Sequence, residues 1–396
     1  MKISILLPYK ENFSPEYPGA VSLFVNSTTS NSIYKKGITI FGFTELKKTF
    51  PQNYTNIPLK KEFFKSASKE YVQKFVEIQK KSPSDIIEIH NRPAYINYIL
   101  KKNIASKLVL YFHNDPLTMS GSKTTKDRQF LLKNCSRIIF NSQWSKKRFF
   151  KDISSHFINS EKLLVIYQSA IKKKINLKNK KKIITFVGKL NRSKGYDIFG
   201  KTITKILNKY RDWKSIVIGD EQRDKLNFKH PNLKILGFLK HNSVLDYLKE
   251  TSIAVACSRW EEPFGRTSLE ASSNGCAVII SNRGGLPETI TDGIILKNLT
   301  TSDLFKSIES LIVNKKKRLA YQKLSLKNFF LTHNKSSLEI DKYRNILLSK
   351  KNVNILIKRS LKILHVTNFN EKHDGRLFFN TGKRINNGLI RGGHSV

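Results

Sequence analysis

The 396-residue chain is short of cysteine, methionine, tryptophan and acidic residues: it holds three Cys, two Met, three Trp and 30 Asp plus Glu against 72 Lys plus Arg. Cys135, Cys257 and Cys276 have no paired or metal-ligating spacing, which excludes a disulfide scaffold and a zinc module. Cys257 and Cys276 fall in apolar runs that read as core strands, where a thiol is an inert small hydrophobe; this favours a reducing compartment. No apolar run reaches bilayer-spanning length, and the one in Met1-Lys-Ile-Ser-Ile-Leu-Leu-Pro8 is too short for a signal peptide. There is no Asp-x-Asp, no RNP-like motif, no zinc-finger spacing and no continuous basic helix.

Hydrophobic residues make up 39% of the chain, enough for real cores, and the length suggests two domains plus an excess. The formal net charge is +42. The lysines are spread over both halves, apart from local runs such as Lys172-Lys-Lys174 and Lys180-Lys-Lys182. That distribution reads as compositional drift with peripheral attraction to an anionic membrane surface rather than as nucleic-acid binding.

The chain is organised around the stretch from Ile253 to Ile280. Ile253-Ala-Val-Ala-Cys257 and Ala277-Val-Ile-Ile280 are short, apolar and β-prone, like strands buried on both faces. Between them a helix starts near Gly265 and stops at Asn274-Gly275. This is strand–loop–helix–strand, the unit of an open parallel sheet, whose ligands bind at the carboxyl ends of the strands. Gly265 permits close backbone approach, and the amides of Arg266, Thr267 and Ser268 have no partner inside the helix. Their mouth is a phosphate site. Glu262 lies ahead of it and Glu270 one turn in, on the face of Arg266. One carboxylate can meet a sugar-like polyol and the other a second hydroxylated ring, as a nucleotide-sugar requires.

Glu262-Pro-Phe-Gly-Arg-Thr-Ser-Leu-Glu270 resembles the E-x7-E signature of the retaining GT-B glycosyltransferases of group one (family four). The resemblance covers roughly residues 1–350 and is densest over 182–290. It implies an α/β chain of GT-B type, with two Rossmann-like domains whose parallel sheets face a cleft. It divides the chain at 1–171, 172–350 and 351–396, with residues 172–182 as linker and a last helix, 338–348, crossing back. It gives Glu262 the donor sugar and Glu270 the ribose, with Phe264, Gly265, Arg266 and Thr267 around the phosphates. Gly188-Lys-Leu-Asn-Arg-Ser-Lys-Gly195 is similar to the family's G-[RK]-L-x3-K-G motif, which gives Gly188, Lys189 and Lys194 the donor diphosphate. Lys189 stands where many relatives have Arg and lacks the bidentate fork.

Gly237-Phe238 is similar to the backbone that contacts the nucleobase, and His113, after the strand Lys107-Leu-Val-Leu-Tyr-Phe112, to a histidine beside the donor sugar. His113 and Glu262 are the residues expected at the reacting centre. His90 is expected to be structural or on the acceptor side. Gly19 matches a glycine loop that closes on the donor, or is an ordinary helix N-cap. Ser142 resembles an N-cap serine, and Ser281-Asn-Arg-Gly-Gly-Leu-Pro-Glu288 the family's G-G-x-P-E turn, with Glu288 complementing its own helix. Residues 118–126 read as a mobile loop over the cleft.

The implied reaction moves a sugar from a nucleotide-sugar to a glycan or lipid-linked acceptor with retention, in cell-surface polysaccharide or lipopolysaccharide synthesis. The setting would be cytoplasmic, at the inner face of the membrane. No metal and no cofactor beyond the donor are expected. The rival readings are a non-catalytic GT-B-like protein and a basic binder of nucleic acid or membrane surfaces.

The tail starts afresh: Leu361-Lys-Ile-Leu-His-Val-Thr-Asn-Phe369 reads as a strand, 378–389 as an amphipathic helix and 392–396 as another strand onset. This resembles the opening of a second glycosyltransferase domain, as in the front of a tandem enzyme. A private C-terminal extension is the alternative.

Overall fold

The structure, a computed structural model, describes residues 1–59, 66–153, 161–221, 224, 226–356, 364–365 and 382–391. It divides into two compact units, Met1–Asp341 and Lys342–Val396.

The first unit holds two parallel sheets. Strands β1 (Ile3–Leu6), β2 (Ile38–Gly42), β3 (Tyr54–Asn56), β4 (Ile86–His90), β5 (Lys107–Phe112), β6 (Arg137–Phe140) and β7 (Leu163–Val165) pair in the order β3-β2-β1-β4-β5-β6-β7. Strands β8 (Lys181–Val187), β9 (Lys214–Ile218), β10 (Leu233–Ile235), β11 (Thr251–Ala256), β12 (Ala277–Ser281) and β13 (Ile294–Leu296) pair in the order β10-β9-β8-β11-β12-β13. Strand order reverses at β1/β4 in one sheet and at β8/β11 in the other, the positions where such sheets open a crevice. The chain has the two-sheet α/β architecture of the GT-B fold.

Helices α1 (Ala20–Ser30), α2 (Ala67–Lys81), α3 (Ala94–Leu100), α4 (Thr125–Asn134) and α5 (Gln143–Phe149) connect the strands of the first sheet. Helices α6 (Tyr196–Lys209), α7 (His241–Glu250), α8 (Arg266–Ser273), α9 (Thr301–Val313) and α10 (Lys315–Asn328) belong to the second half, and α11 (His333–Leu356) follows. The strands are apolar on both faces because helices cover both. Ile184, Ile253, Ile279 and Ile308 share one core layer, while Ile218, Val278, Ile280 and Leu248 share the other. All three cysteines are buried, Cys257 and Cys276 completely, and burial pushes each thiol above its usual range.

Helix α11 returns to the first sheet's half. Ser337 Oγ donates to Thr28 O at 3.0 Å, and Asp341 accepts from Ser32 Oγ at 2.7 Å and from Ile33 N at 2.9 Å.

Two expectations change. Residues 118–126 are ordered: Ser122 is buried with its hydroxyl on Pro116 O at 2.5 Å, and Thr124 and Asp127 form a reciprocal capping box that starts α4. Lys180 is not a solvated linker lysine. Its ammonium donates to Leu248 O (2.9 Å) and Asn274 O (2.7 Å), and burial lowers its pKa.

In the second unit, α12 (Lys383–Arg391) covers part of the expected tail helix. The strands expected at 361–369 and 392–396 lie outside the described residues, apart from Leu364 and His365. No helix among the described residues is long and apolar enough to cross a membrane.

Candidate active site

A cavity of about 300 Å³ lies at the carboxyl ends of β8 and β11. Its wall from the second sheet includes Gly188, Lys194, Ser258, Trp260, Glu262, Phe264, Gly265, Arg266, Thr267 and Ser268; the first sheet's half contributes Ala20, His113, Asn114, Asn141 and Gln168.

Helix α8 starts at Gly265, whose φ of +119° puts it in a region that favours glycine. The next three amides have no intrahelical acceptor and give this wall a positive end. Lys194 is brought beside it by a single 3-10 turn. Asn191 caps that turn through Lys194 N at 3.0 Å, and Gly195 (φ +75°) ends it. A Cβ on Gly195 would stand 1.8 Å from Cys257 O, so the turn is pressed onto the end of β11. Lys194 Nζ reaches Glu262 Oε1 at 2.5 Å and sits 5.3 Å from the centre of the Trp260 ring.

The turn after β12 holds Glu262 in place. Gly285 N donates to Glu262 O at 2.6 Å, and Gly284 N to Glu261 Oε2 at 2.6 Å. The glycines therefore serve the backbone under Glu262. Pro263 O accepts from Ser142 Oγ at 2.6 Å, while Ser142 also caps α5 through Ser145 N. Glu288 does not serve its own short helix alone. Its two oxygens accept Gln143 N (2.7 Å) and Trp144 N (2.9 Å), capping α5 from the other sheet's half.

His113 follows β5. Its backbone N donates to Asn91 Oδ1 at 3.0 Å, Asn141 Nδ2 donates to its carbonyl at 2.9 Å, and Phe24 packs edge-on to its ring. Its Nε2 meets His90 Nδ1 at 2.9 Å, and His90 is buried and stacked on Tyr111. Burial first, and then the neighbouring His90, hold His113 well below the usual histidine pKa. It stands in the cavity wall as a neutral imidazole, able to share a hydrogen bond but not to bring a charge.

The remaining expected residues lie elsewhere. Glu270 is buried away from the 300 Å³ cavity, against a small one of about 30 Å³ shared with His241 and His333. Glu270 Oε1 is ion-paired with Arg266, whose Nε lies 2.7 Å away, and shares a hydrogen bond with His241 Nε2 at 2.8 Å. Burial pushes its pKa up, but Arg266 and His241 outweigh this and hold it below the usual value. Gly19 precedes α1, but the mouth of that helix is filled by its own chain: Glu11 Oε1 accepts Ser22 N at 2.8 Å, and a Cβ on Gly19 would meet that oxygen at 2.2 Å. The N-cap reading thus fits Gly19, while Ala20 reaches the cavity. Lys189 is exposed and does not line it. Gly237 and Phe238 stand outside it, with Phe238 stacked on Tyr17.

Asn141, Gln168, Ser258 and Trp260 line the cavity without having been singled out. Gln168 is buried, and its Oε1 has no hydrogen-bond partner among the described residues, as is true of His113 Nδ1. Ser258 and Trp260 lie four and two residues before Glu262, and Asn141 directly before Ser142; Gln168 carried no such signal. Among the described residues no group of three or more His, Cys, Asp or Glu is placed to hold a metal.

Residues 168–326 match the family model "Glycosyl transferases group 1". Over those residues the chain is similar to the group 1 glycosyltransferases. The match contains β8 to β13 and most of the cavity wall, including Lys194, Glu262 and Gly265. Spore coat protein SA of Bacillus subtilis is 22% identical over 326 residues, covering 74% of this chain and 84% of that protein. The lipopolysaccharide core biosynthesis mannosyltransferase LpsB of Rhizobium meliloti is 31% identical over 133 residues, 31% of this chain and 37% of that one. Among solved structures, Anabaena Alr3699/HepE in complex with UDP and glucose aligns with a TM-score of 0.67 at 18% identity, covering 87% of this chain and 99% of that one. That likeness carries the GT-B architecture beyond the matched residues to the first sheet.

His333, just beyond the matched residues, is placed to make the fold sensitive to acid. His333 Nδ1 meets Ser169 Oγ at 2.8 Å, and burial, reinforced by Arg266, lowers the His333 pKa to about 4. Below about pH 6.5 the unfolded chain takes up a proton that the folded chain refuses until about pH 4, so stability falls as pH drops through that window. Urea unfolding at pH 7.5, 5.5 and 4.5 should show a loss smaller in His333→Asn than in the parent by about 1–3 kcal/mol. Equal losses would assign the sensitivity elsewhere.

Proposed function

We propose that the chain transfers a sugar from a nucleoside-diphosphate sugar to a glycan or lipid-linked acceptor with retention of anomeric configuration. The setting we infer is cell-surface polysaccharide synthesis, in the cytoplasm with peripheral contact to anionic membrane. The observation that carries this reading is the convergence of Lys194, Glu262 and the open amides behind Gly265 on one cavity. Support for the donor class comes from HepE, whose structure holds UDP and glucose; support for the destination comes from LpsB, named for lipopolysaccharide core synthesis.

In this reading the diphosphate lies against the mouth of α8 with Lys194, and the sugar lies toward Glu262 and His113. The bond between the anomeric carbon and the phosphate oxygen breaks, and the electron pair leaves on the diphosphate. Lys194 and the amides stabilise that charge. The acceptor oxygen bonds to the anomeric carbon on the same face, and its proton passes to the departing phosphate. Neutral His113 orients a sugar hydroxyl without adding charge. Glu270, being paired, acts on the donor only through Arg266 and the shape of α8.

A panel of UDP-, GDP- and ADP-sugars tests this: one should raise the melting temperature, since a ligand at a hundred times its Kd adds about 2.7 kcal/mol. With that donor and an acceptor, the coupling constant of the product's anomeric proton reports the stereochemistry. No stabilisation by any of the panel defeats the donor assignment; an inverted product defeats retention.

A further inference from the structure

We propose that Tyr17, carried by the first sheet's half, contacts the donor: its ring and that of Phe238 form a clamp that parts to admit a planar heterocyclic base and closes on both its faces. This rests on the proposed function, because it takes the donor to be a nucleoside-diphosphate sugar.

The path to the clamp is a shelf with little side chain on it. Three neighbouring strands, β8, β9 and β10, are followed by Gly188, Gly219 and Gly237, with φ values of +153°, +136° and +67°. They are laced together: Gly188 N donates to Ile218 O at 3.0 Å and Gly219 N to Gly237 O at 2.8 Å. A Cβ on Gly219 would fall 1.9 Å from Gly188 O, so the first two are in close contact. A Cβ on Gly237 would meet nothing within 4 Å, and one on Gly188 only the Phe186 ring at 3.9 Å. The shelf starts at Gly188, in the wall of the cavity where the diphosphate is assigned, and ends at Phe238.

At that end two large rings are left in solvent. Phe238 is 45% exposed and Tyr17 56% exposed, yet they stack with centroids 4.6 Å apart and planes at 28°. The residues flanking them, Pro15, Glu16 and Pro18 on one side and Lys240, His241 and Asn242 on the other, line a further cavity of about 290 Å³. The loop that presents Tyr17 is anchored at its base. Phe13 is fully buried and stacks on Tyr54, and Glu11 holds the start of α1.

Rings this close leave no room between them, so a base must separate them by about one ring thickness. One aromatic contact breaks and two form, and every nucleobase has the π faces required. The clamp would therefore favour nucleoside-diphosphate donors over diphosphates without a base while discriminating weakly among bases.

Calorimetric titration of the parent, Tyr17→Ala, Tyr17→Phe and Phe238→Ala with UDP, GDP, ADP and inorganic pyrophosphate tests it. For the nucleotide that the parent binds, Tyr17→Ala should weaken binding about five- to thirtyfold, as loss of one base–aromatic stack does. Tyr17→Phe should stay within about twofold, and pyrophosphate should bind all four proteins alike. Unchanged or tighter nucleotide binding by Tyr17→Ala overturns the clamp, as does an equal loss for pyrophosphate, which would mean a collapsed loop. If the parent binds none of the three nucleotides, the proposed function falls and the clamp with it.

Discussion

Lys194→Ala should lower sugar transfer about 10²- to 10³-fold, and Glu262→Gln should separate binding from turnover. The two side chains neutralise each other at 2.5 Å, with 26% and 13% of their surfaces exposed. Removing Lys194 takes away a cation that would stabilise the departing diphosphate, an effect of the size seen when a preorganised donor is lost. It also leaves the Glu262 carboxylate uncompensated against an incoming dianion. Both nucleoside-diphosphate affinity and turnover should therefore fall. Glu262→Gln acts in the opposite sense on binding. The ammonium, freed from its carboxylate, is available to the diphosphate, so UDP, GDP or ADP should bind about two- to fivefold more tightly, as loss of a competing ion pair allows. Turnover should still drop about 10²-fold, because the charged acceptor for the sugar is gone. Titration with the nucleoside diphosphate and initial rates with the matching sugar read the two effects separately. Full turnover in Glu262→Gln would remove Glu262 from the reacting centre.

This opposition was not visible in the sequence, where Lys194 and Glu262 stand 68 residues apart with separate assignments. What sequence conveys well is local. Ile253–Val255 and Val278–Ile280, apolar in unbroken runs, read as strands covered on both faces, and the glycines at 265 and 275 marked both ends of α8, where their φ values are +119° and +70°. The doubly covered strands implied an open parallel sheet, since such runs need helices on each side, while the two-sheet architecture was implied by the family resemblance. What sequence conveys poorly is which partner reaches a charged group first. Glu270 has Arg266 one helical turn away, which spacing shows, but its second partner, His241, arrives from another helix. Glu11 fills the mouth of α1 from a loop with no periodicity. Glu288 looked like the partner of its own short helix, yet it caps amides more than a hundred residues away. Each of these is a polar side chain choosing among several unsatisfied groups, and tertiary distance decides the choice.

The turn after β12 makes the same point about glycine, and gives the second large effect: Gly284→Ala should cost about 2–4 kcal/mol and reduce transfer about 10²-fold even where the variant is folded. The stability loss has two sources. At φ +60° an L side chain is strained, by roughly 1–2 kcal/mol. The new Cβ would also stand 2.1 Å from Glu262 O and 2.6 Å from Glu262 N, which are backbone atoms and cannot rotate away. Relief requires the Glu262 segment to move, and a displacement near 1 Å at a reacting centre costs about 10²-fold. Gly284→Asn distinguishes the sources, because asparagine tolerates the left-handed region but carries the same Cβ. It should recover part of the stability and little of the activity. Melting temperatures and rates measured well below the transition give both quantities. If Gly284→Ala folds and turns over within about twofold of the parent, the position of Glu262 does not matter to the reaction, and the placement of the donor sugar beside it is wrong.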